Sequence, residues 1–226
     1  MPHCSFNDSN ALAVRLAGDV AGAIDHRLAS QPLTGIVVSG GRTPEAFLRV
    51  LASKPLNWSR IRVTLADERR VPLADPASNL RMVQRAFAGT GAANSLVQFD
   101  AASADAVEQW QAELNAVPTP FAAVVLGMGD DGHFASLFPH MPGLAGALDA
   151  GGPKSIVYGV APTEPRERLS LTLSWLLDTD LLALHVTGSA KLRSLQDAST
   201  SGSALEMPVR ALLQQRRVPV KVYHAD

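Results

Sequence analysis

The sequence predicts an α/β fold in which a mostly parallel sheet is covered by helices on both faces. Short apolar, β-branched runs alternate with amphipathic helical segments along the chain. Glycines close several of these runs, as they do in loops at the carboxyl ends of parallel strands. With 226 residues, 46% of them apolar, the chain can bury one substantial core, so we expect residues 1–226 to form a single domain.

The amino-terminal half of the chain alternates helix and strand. Apolar residues recur at helical spacing through 12–28, and a β-branched run closed by glycines follows at 34–41. Thr43 can cap the next helix, at 43–51, with Pro44 at its first helical position. The pattern then predicts a strand at 61–68 and helices at 78–87 and 105–114.

The carboxyl-terminal half continues the alternation and completes the predicted sheet. An apolar strand is predicted at 121–128, and a short helix is expected to begin at His133. Further β-branched runs predict strands at 155–161, 181–188 and 218–224, and helices are predicted to begin at Ala190 and Pro208.

The charge balance argues against large polyanionic partners. Lys and Arg number 20 against 21 Asp and Glu, so no global field favours nucleic acid or an anionic membrane surface. The amino terminus lacks the features of a signal peptide, and no apolar run approaches the roughly 20 residues of a membrane span. We therefore expect a soluble, cytoplasmic protein that binds neither nucleic acid nor a membrane. No feature of the sequence bears on oligomeric state.

Cysteine and histidine usage points away from metal sites. Cys4 is the single cysteine, which excludes an internal disulfide and a four-cysteine zinc site, and it is expected to be a tolerated thiol near a mobile end. The six histidines show no paired metal-binding spacing, and His185 is expected to be a core or edge-strand residue. The sequence therefore predicts no metal ion.

Residues 127–132 read GMGDDG, the glycine pattern of a dinucleotide-binding turn. Asp130 and Asp131 would place two carboxylates against the pyrophosphate, a repulsion of about a few kcal/mol in a partly desolvated site. A dinucleotide fold also needs an acid that ends the following strand, whereas Asp149 precedes the strand that begins at Ser155. We therefore expect no nucleotide cofactor.

A better anion site lies at residues 39–47, which read SGGRTPEAF. Gly40 and Gly41 let the backbone approach a ligand closely, and Arg42 adds a cation. The segment opens a helix whose amino terminus favours anions. The alternative for the two glycines is a tight turn without a ligand.

Five stretches, taken in order, carry a resemblance to a known family. They are SGGRTP (39–44), ADERRVPLADPASN (66–79), LGMGDDGHFASLFP (126–139), PRERLSLT (165–172) and GSAK (188–191). Together they resemble the 6-phosphogluconolactonase family, which is related to the glucosamine-6-phosphate deaminases. The resemblance implies a Rossmann-like α/β fold and hydrolysis of 6-phospho-D-glucono-1,5-lactone to 6-phosphogluconate in the pentose phosphate pathway, without a metal or nucleotide.

The resemblance also implies the catalytic pair. His133 matches the family's proposed general base, which would deprotonate water, and Asp131 can orient its ring. At a helix amino terminus the helix dipole would disfavour the imidazolium and leave a neutral ring able to accept a proton. A histidine that only caps the helix is the alternative.

By the same resemblance, basic residues at loop mouths bind the phosphate dianion of the substrate. Asp67 and Glu68 can fix the guanidinium of Arg69 through ion pairing, although Glu68 also fits a surface acid. The chain departs from the family pattern at Arg42, where a small residue is commoner, and at Phe134, where threonine is usual. The implied substrate-binding set is Gly40, Gly41, Arg42, Thr43, Asp67, Arg69, Arg168 and Lys191.

Two other functions stay open at this point. The first is a related sugar-phosphate isomerase or deaminase, which needs a further acid or base at the substrate. Where that branch carries Phe-Asn-Glu-Pro after the histidine, residues 136–139 read SLFP and supply no carboxylate. The second is a sugar-phosphate-binding module without turnover, which would need the phosphate contacts but not the pair of His133 and Asp131.

Overall fold

The computed structural model describes residues 3–41 and 43–226. Arg42, one of the predicted phosphate-binding residues, lies outside the described residues. The strands are β1 (His3–Phe6), β2 (Thr34–Val38), β3 (Ile61–Leu65), β4 (Asp67–Arg69), β5 (Phe121–Gly127), β6 (Ile156–Val160), β7 (Glu167–Leu171), β8 (Thr179–Thr187) and β9 (Val220–Ala225). The helices are α1 (Ser9–Leu28), α2 (Glu45–Ala52), α3 (Asn79–Phe87), α4 (Ala106–Asn115), α5 (Leu144–Ala147), α6 (Leu173–Leu176), α7 (Ser189–Ala198) and α8 (Val209–Gln214).

Within these residues the main sheet has six parallel strands in the order β1-β9-β8-β5-β2-β3, flanked by helices. The central strand β5 is buried from Phe121 to Leu126, as expected of a strand covered on both faces. The amphipathic helix α1 packs its apolar stripe on this sheet, and Asp8 caps it by accepting hydrogen bonds from the amides of Asn10 and Ala11. The predicted α/β class is confirmed.

Strand β1 was not predicted from the sequence. It extends the main sheet by pairing in parallel with β9, with His3 opposite Val222 and Phe6 opposite Ala225. Cys4, which was expected near a mobile end, therefore lies half-buried in a paired strand. Four residues are too few for periodicity to reveal a strand, and only the partner strand from the far end of the chain fixes it.

A second, smaller sheet is antiparallel and has the order β4-β7-β6. The single strand predicted at 61–68 is divided between the two sheets at Ala66. The amide of Ala66 donates to Val38 in the main sheet, while its carbonyl accepts from Leu171 in the small sheet. Ala66 thus joins the sheets and turns the segment 67–69 toward the carboxyl ends of the parallel strands.

Two local predictions near the carboxyl ends of the strands are wrong. No helix begins at His133: Phe134 and Leu137 form an isolated bridge and Ala135 has φ +47°, so the chain turns instead. Prolines at 139 and 142 remove amide donors that a helix there would need, and α5 begins only at Leu144. At α2, Pro44 rather than Thr43 occupies the capping position.

The strand order creates a crevice between β2 and β5. Within the main sheet, the next strand after β2 is β3, on one side. The next strand after β5 is β8, on the other side, and the chain reaches it after β6 and β7 of the small sheet. Loops that diverge from neighbouring parallel strands open a crevice at their carboxyl ends, which is where such folds bind ligands. Separately, in the described part of the chain we find no helix with the length and hydropathy needed to cross a membrane.

Candidate functional site

A cavity of about 290 Å³ opens at the carboxyl ends of β2, β5 and β8. Its position coincides with the crevice between β2 and β5, which supports it as the ligand-binding site of the fold. The residues that line it are Ser39, Gly40, Gly41, Thr43, Asp67, Arg69, Asn79, Gly127, Met128, Gly129, His133, Ala135, His185 and Lys191.

The glycine loop after β2 forms one wall of the cavity. A side chain at Gly40 would place its Cβ 1.9 Å from the carboxamide of Asn79, so only glycine fits there. Gly41 has φ +94°, a conformation that side chains disfavour. Thr43, which precedes the capping residue of α2, also lines the cavity.

His133 and Asp131 form a hydrogen-bonded pair at the edge of the cavity. The Nδ1 atom of His133 lies 2.6 Å from Oδ1 of Asp131, which also accepts from the amide of His133 at 3.1 Å. Partial burial raises the pKa of Asp131, but the hydrogen bond and charge of His133 outweigh it, so the pKa is lowered overall. An ionised Asp131 accepts a hydrogen bond from Nδ1–H of the neutral ring, and in that tautomer Nε2 carries the lone pair.

The loop that carries this pair is fixed by its glycines and by packing. A Cβ on Gly129 would lie 2.2 Å from the His133 ring, and the Gly129 amide donates to the His133 carbonyl at 2.9 Å. Gly132 has φ +77° and its carbonyl accepts from the amide of Val209. Phe138 packs on the His133 ring with 4.4 Å between ring centroids. The glycine pattern therefore shapes the turn around a histidine, and the helix-dipole argument for His133 no longer applies.

The predicted basic residues separate into two groups. Arg69 and Lys191 line the cavity. Arg168 faces Arg69 across the β4–β7 pair, is only 6% exposed, and lies outside the set of lining residues. Burial, followed by the charge of Arg69, lowers the pKa of Arg168. Its role in phosphate binding stays a prediction.

The expected ion pairing of Asp67 and Glu68 with Arg69 is wrong for the described residues. One guanidinium nitrogen of Arg69 donates instead to the carbonyl of Ala77. Asp67 lines the cavity, and its Oδ2 accepts from the hydroxyl of Ser136 at 2.6 Å.

Glu68 is a buried capping residue, so the surface-acid alternative is also wrong. Its carboxylate accepts from the amides of Arg69, Asn79 and Leu80 and from the hydroxyl of Ser78. Burial raises the pKa of Glu68, and these hydrogen bonds oppose the effect without cancelling it. The carboxylate satisfies the first amides of α3 and thereby places Asn79 at the cavity.

We expect Glu68→Gln to lower the free energy of unfolding by about 1–3 kcal/mol, because an amide cannot accept from four donors and its own NH₂ would face some of them. Denaturant unfolding measures the change. Glu167→Gln is the matched control, because Glu167 is exposed and pairs only at the surface with Arg70, an interaction of little worth. Equal stability of Glu68→Gln and wild type would contradict a capping role.

Several cavity residues were not predicted from the sequence. Ser39, Asn79, Met128, Ala135 and His185 all line the site. For His185 a signal was present, because it lies three residues before the end of the predicted strand at 181–188, which leads into the GSAK motif. Phe134, where the family pattern has threonine, is fully buried in the core and does not line the cavity.

The described residues provide no cluster of metal ligands. Among residues 3–41 and 43–226, no three or more His, Cys, Asp and Glu side chains converge as a metal-binding group would.

Comparisons of the sequence with a family model and with known proteins indicate the same family. The family model described as glucosamine-6-phosphate isomerases/6-phosphogluconolactonase matches residues 7–221. A 6-phosphogluconolactonase of Rhizobium meliloti is 38% identical over 224 residues, covering 97% of each chain. One of Pseudomonas aeruginosa is 42% identical over 212 residues, covering 92% of this chain and 88% of the relative.

A solved structure agrees with these sequence matches. The crystal structure of a 6-phosphogluconolactonase from Shewanella baltica superposes with a TM-score of 0.92 at 33% identity, covering 100% of this chain and 98% of that one. The family match spans most of the chain, and the fold matches along its whole length. The chain therefore belongs to the glucosamine-6-phosphate isomerase/6-phosphogluconolactonase family.

Proposed function

We propose that this protein hydrolyses 6-phospho-D-glucono-1,5-lactone to 6-phospho-D-gluconate, the lactonase step of the pentose phosphate pathway, with His133 as the general base. The relatives named above are called 6-phosphogluconolactonases, which supports the lactonase branch of the family. The observation that carries the proposal is the pair of His133 and Asp131 on a cavity that also presents Arg69 and Lys191.

In the proposed reaction the chain's own residues move one proton. The free Nε2 of His133 takes a proton from a water molecule while the water oxygen attacks the C1 carbonyl of the lactone. Asp131 steadies the imidazolium that forms, because its carboxylate is ionised and already bonded to Nδ1. When the tetrahedral intermediate collapses, the bond between C1 and the ring oxygen breaks. His133 returns its proton to that oxygen, which becomes the C5 hydroxyl of the product.

We assign the phosphate of the substrate to the part of the cavity wall that Arg69 and Lys191 line. Arg69 and Lys191 provide positive charge there, and the loop of Gly40, Gly41 and Thr43 lets backbone approach the anion. With a formal net charge of −1, the whole protein provides no general attraction for a dianion. Affinity for the phosphate is therefore assigned to this local cluster.

A sugar-phosphate isomerase or deaminase is the second candidate, and Asp67 is the observation in its favour. Asp67 supplies a carboxylate on the cavity wall, the further acid or base that aldose–ketose chemistry requires. Two facts weigh against it. Its Oδ2 is occupied by the Ser136 hydroxyl, and residues 136–139 contain no acid.

We expect the purified protein to accelerate opening of 6-phosphogluconolactone above its spontaneous rate and to release no ammonia from glucosamine 6-phosphate. Acid release in a pH-stat assay and coupled ammonia detection measure the two activities. A chelator, NAD or NADP should leave the lactonase rate unchanged. A rate equal to the spontaneous one would overturn the proposal, and ammonia release would transfer it to the second candidate.

A further inference from the structure

His185 is a cavity residue that the proposed proton transfer does not use. It lies on β8, where its backbone is opposite Gly127 of β5 and Tyr223 of β9. The residue lines the cavity together with Lys191 and Gly127, yet it is only 4% exposed. A histidine on a central strand is thus held at the base of the site by the strands on either side.

The ring has hydrogen-bonding capacity that the described residues do not satisfy. Its Nδ1 atom is buried and has no hydrogen-bond partner among them. Buried polar side-chain atoms are nearly always paired, and unpaired ones cost free energy. Because His185 also lines the cavity, a polar group that enters the cavity can supply a hydrogen-bond partner for the imidazole.

The charge state of His185 narrows the chemistry of that partner. Burial, followed by the charge of Lys191, lowers the pKa of His185 to about 4, so the ring is neutral near pH 7. A neutral ring adds no positive charge for a phosphate. The ring is weakly basic, and among the described residues its Nδ1 has no carboxylate partner like the one that His133 has, so His185 is a poor general base.

A neutral imidazole offers one donor and one acceptor, which matches a hydroxyl group, itself a donor and an acceptor. The proposed substrate carries hydroxyls on its ring carbons in addition to the phosphate. We propose that His185 is a specificity residue that hydrogen-bonds a ring hydroxyl of the bound sugar lactone. This inference rests on the proposed function.

The test compares ligands that do and do not carry the sugar hydroxyls. Inhibition of the lactonase by 6-phosphogluconate reports contacts to the sugar and the phosphate, whereas inhibition by inorganic phosphate reports the phosphate contacts alone. His185→Leu removes the polar ring, and His185→Gln keeps one donor and one acceptor. His224→Leu is the matched control, because His224 is also buried, lies on the adjacent strand β9, and does not line the cavity.

We expect His185→Leu to raise the KM for 6-phosphogluconolactone and the Ki for 6-phosphogluconate by about 5- to 50-fold, the effect of leaving one polar group unpaired. The Ki for inorganic phosphate should stay within twofold, and kcat should change less than KM. His185→Gln should recover part of the affinity, and His224→Leu should bind as wild type does.

Each other result counts against the inference in a distinct way. Unchanged constants in a folded His185→Leu variant, with an active wild type, would overturn it while leaving the lactonase proposal intact. An equal rise for inorganic phosphate would assign His185 to the phosphate instead. If His185→Leu does not fold, wild-type affinity in His185→Asn and His185→Phe would overturn it. An inactive wild type would overturn the proposed function, and the inference with it.

Discussion

His133→Ala is expected to lower the enzymatic rate of lactone hydrolysis by about 10²- to 10⁴-fold, the usual contribution of a positioned general base. The hydrogen bond from Nδ1 to Asp131 and the position of the ring at the cavity support this size of effect. The substitution removes a partly exposed ring, so folding should be preserved. Affinity for 6-phosphogluconate should change little, because phosphate binding is assigned to other residues.

The measurement is kcat/KM for 6-phosphogluconolactone after subtraction of the spontaneous rate. His26→Ala is the matched control, because His26 is exposed on α1 and does not line the cavity. Added imidazole should restore part of the rate in His133→Ala, which it could not do if the ring only supported the loop. Near wild-type turnover in the variant would show that another residue is the general base.

The pH dependence of kcat/KM should distinguish the role of His133 from that of Asp131. A general base acts only when unprotonated, so kcat/KM should fall as the pH is lowered. The pKa of Asp131 is lowered, so its carboxylate stays ionised through the usual titration range of an aspartate and loses its charge only at lower pH. The fall should therefore disappear in His133→Ala, and Asp131→Asn should reduce the rate less than His133→Ala does.

Lys191→Ala and Arg69→Ala are expected to lower kcat/KM for the phosphorylated lactone by about 10- to 200-fold, which corresponds to about 1.5–3 kcal/mol for one charge-assisted contact. Both side chains line the cavity. The same variants should hydrolyse unphosphorylated gluconolactone almost as wild type does. Lys191 gives the cleaner test, because Arg69 also donates to the Ala77 carbonyl and supports the loop there.

Comparing the two lactones distinguishes phosphate binding from structural support. Arg49→Ala is the control for loss of a positive charge, since Arg49 is exposed on α2 and pairs with Glu45. Inorganic phosphate should compete with the substrate, and added salt should weaken that competition where the contacts are partly exposed. Equal losses on both lactones in the Lys191 and Arg69 variants would show that these residues serve the chemistry or the fold.

The sequence by itself determined the α/β class, most of the main-sheet strands and the longer helices. These elements can be recognised from short stretches of sequence, because a buried parallel strand is a continuous apolar run and an amphipathic helix has a 3.6-residue period. The sequence also predicted that His133 and Asp131 act as a pair. Two residues apart in one glycine-rich turn, they need no distant element to meet, and they form the predicted hydrogen bond.

Only the tertiary structure decided which side chains share the cavity and which do not. Glu68 is buried and caps α3, Arg168 is buried opposite Arg69 in the β4–β7 pair, and His185 lines the site from β8. The positions of Arg168 and His185 depend on pairing between strands far apart in the chain, β4 with β7 and β5 with β8. Local periodicity contains no information about that pairing, because it is set by burial of the whole core and by satisfaction of buried polar groups across the fold.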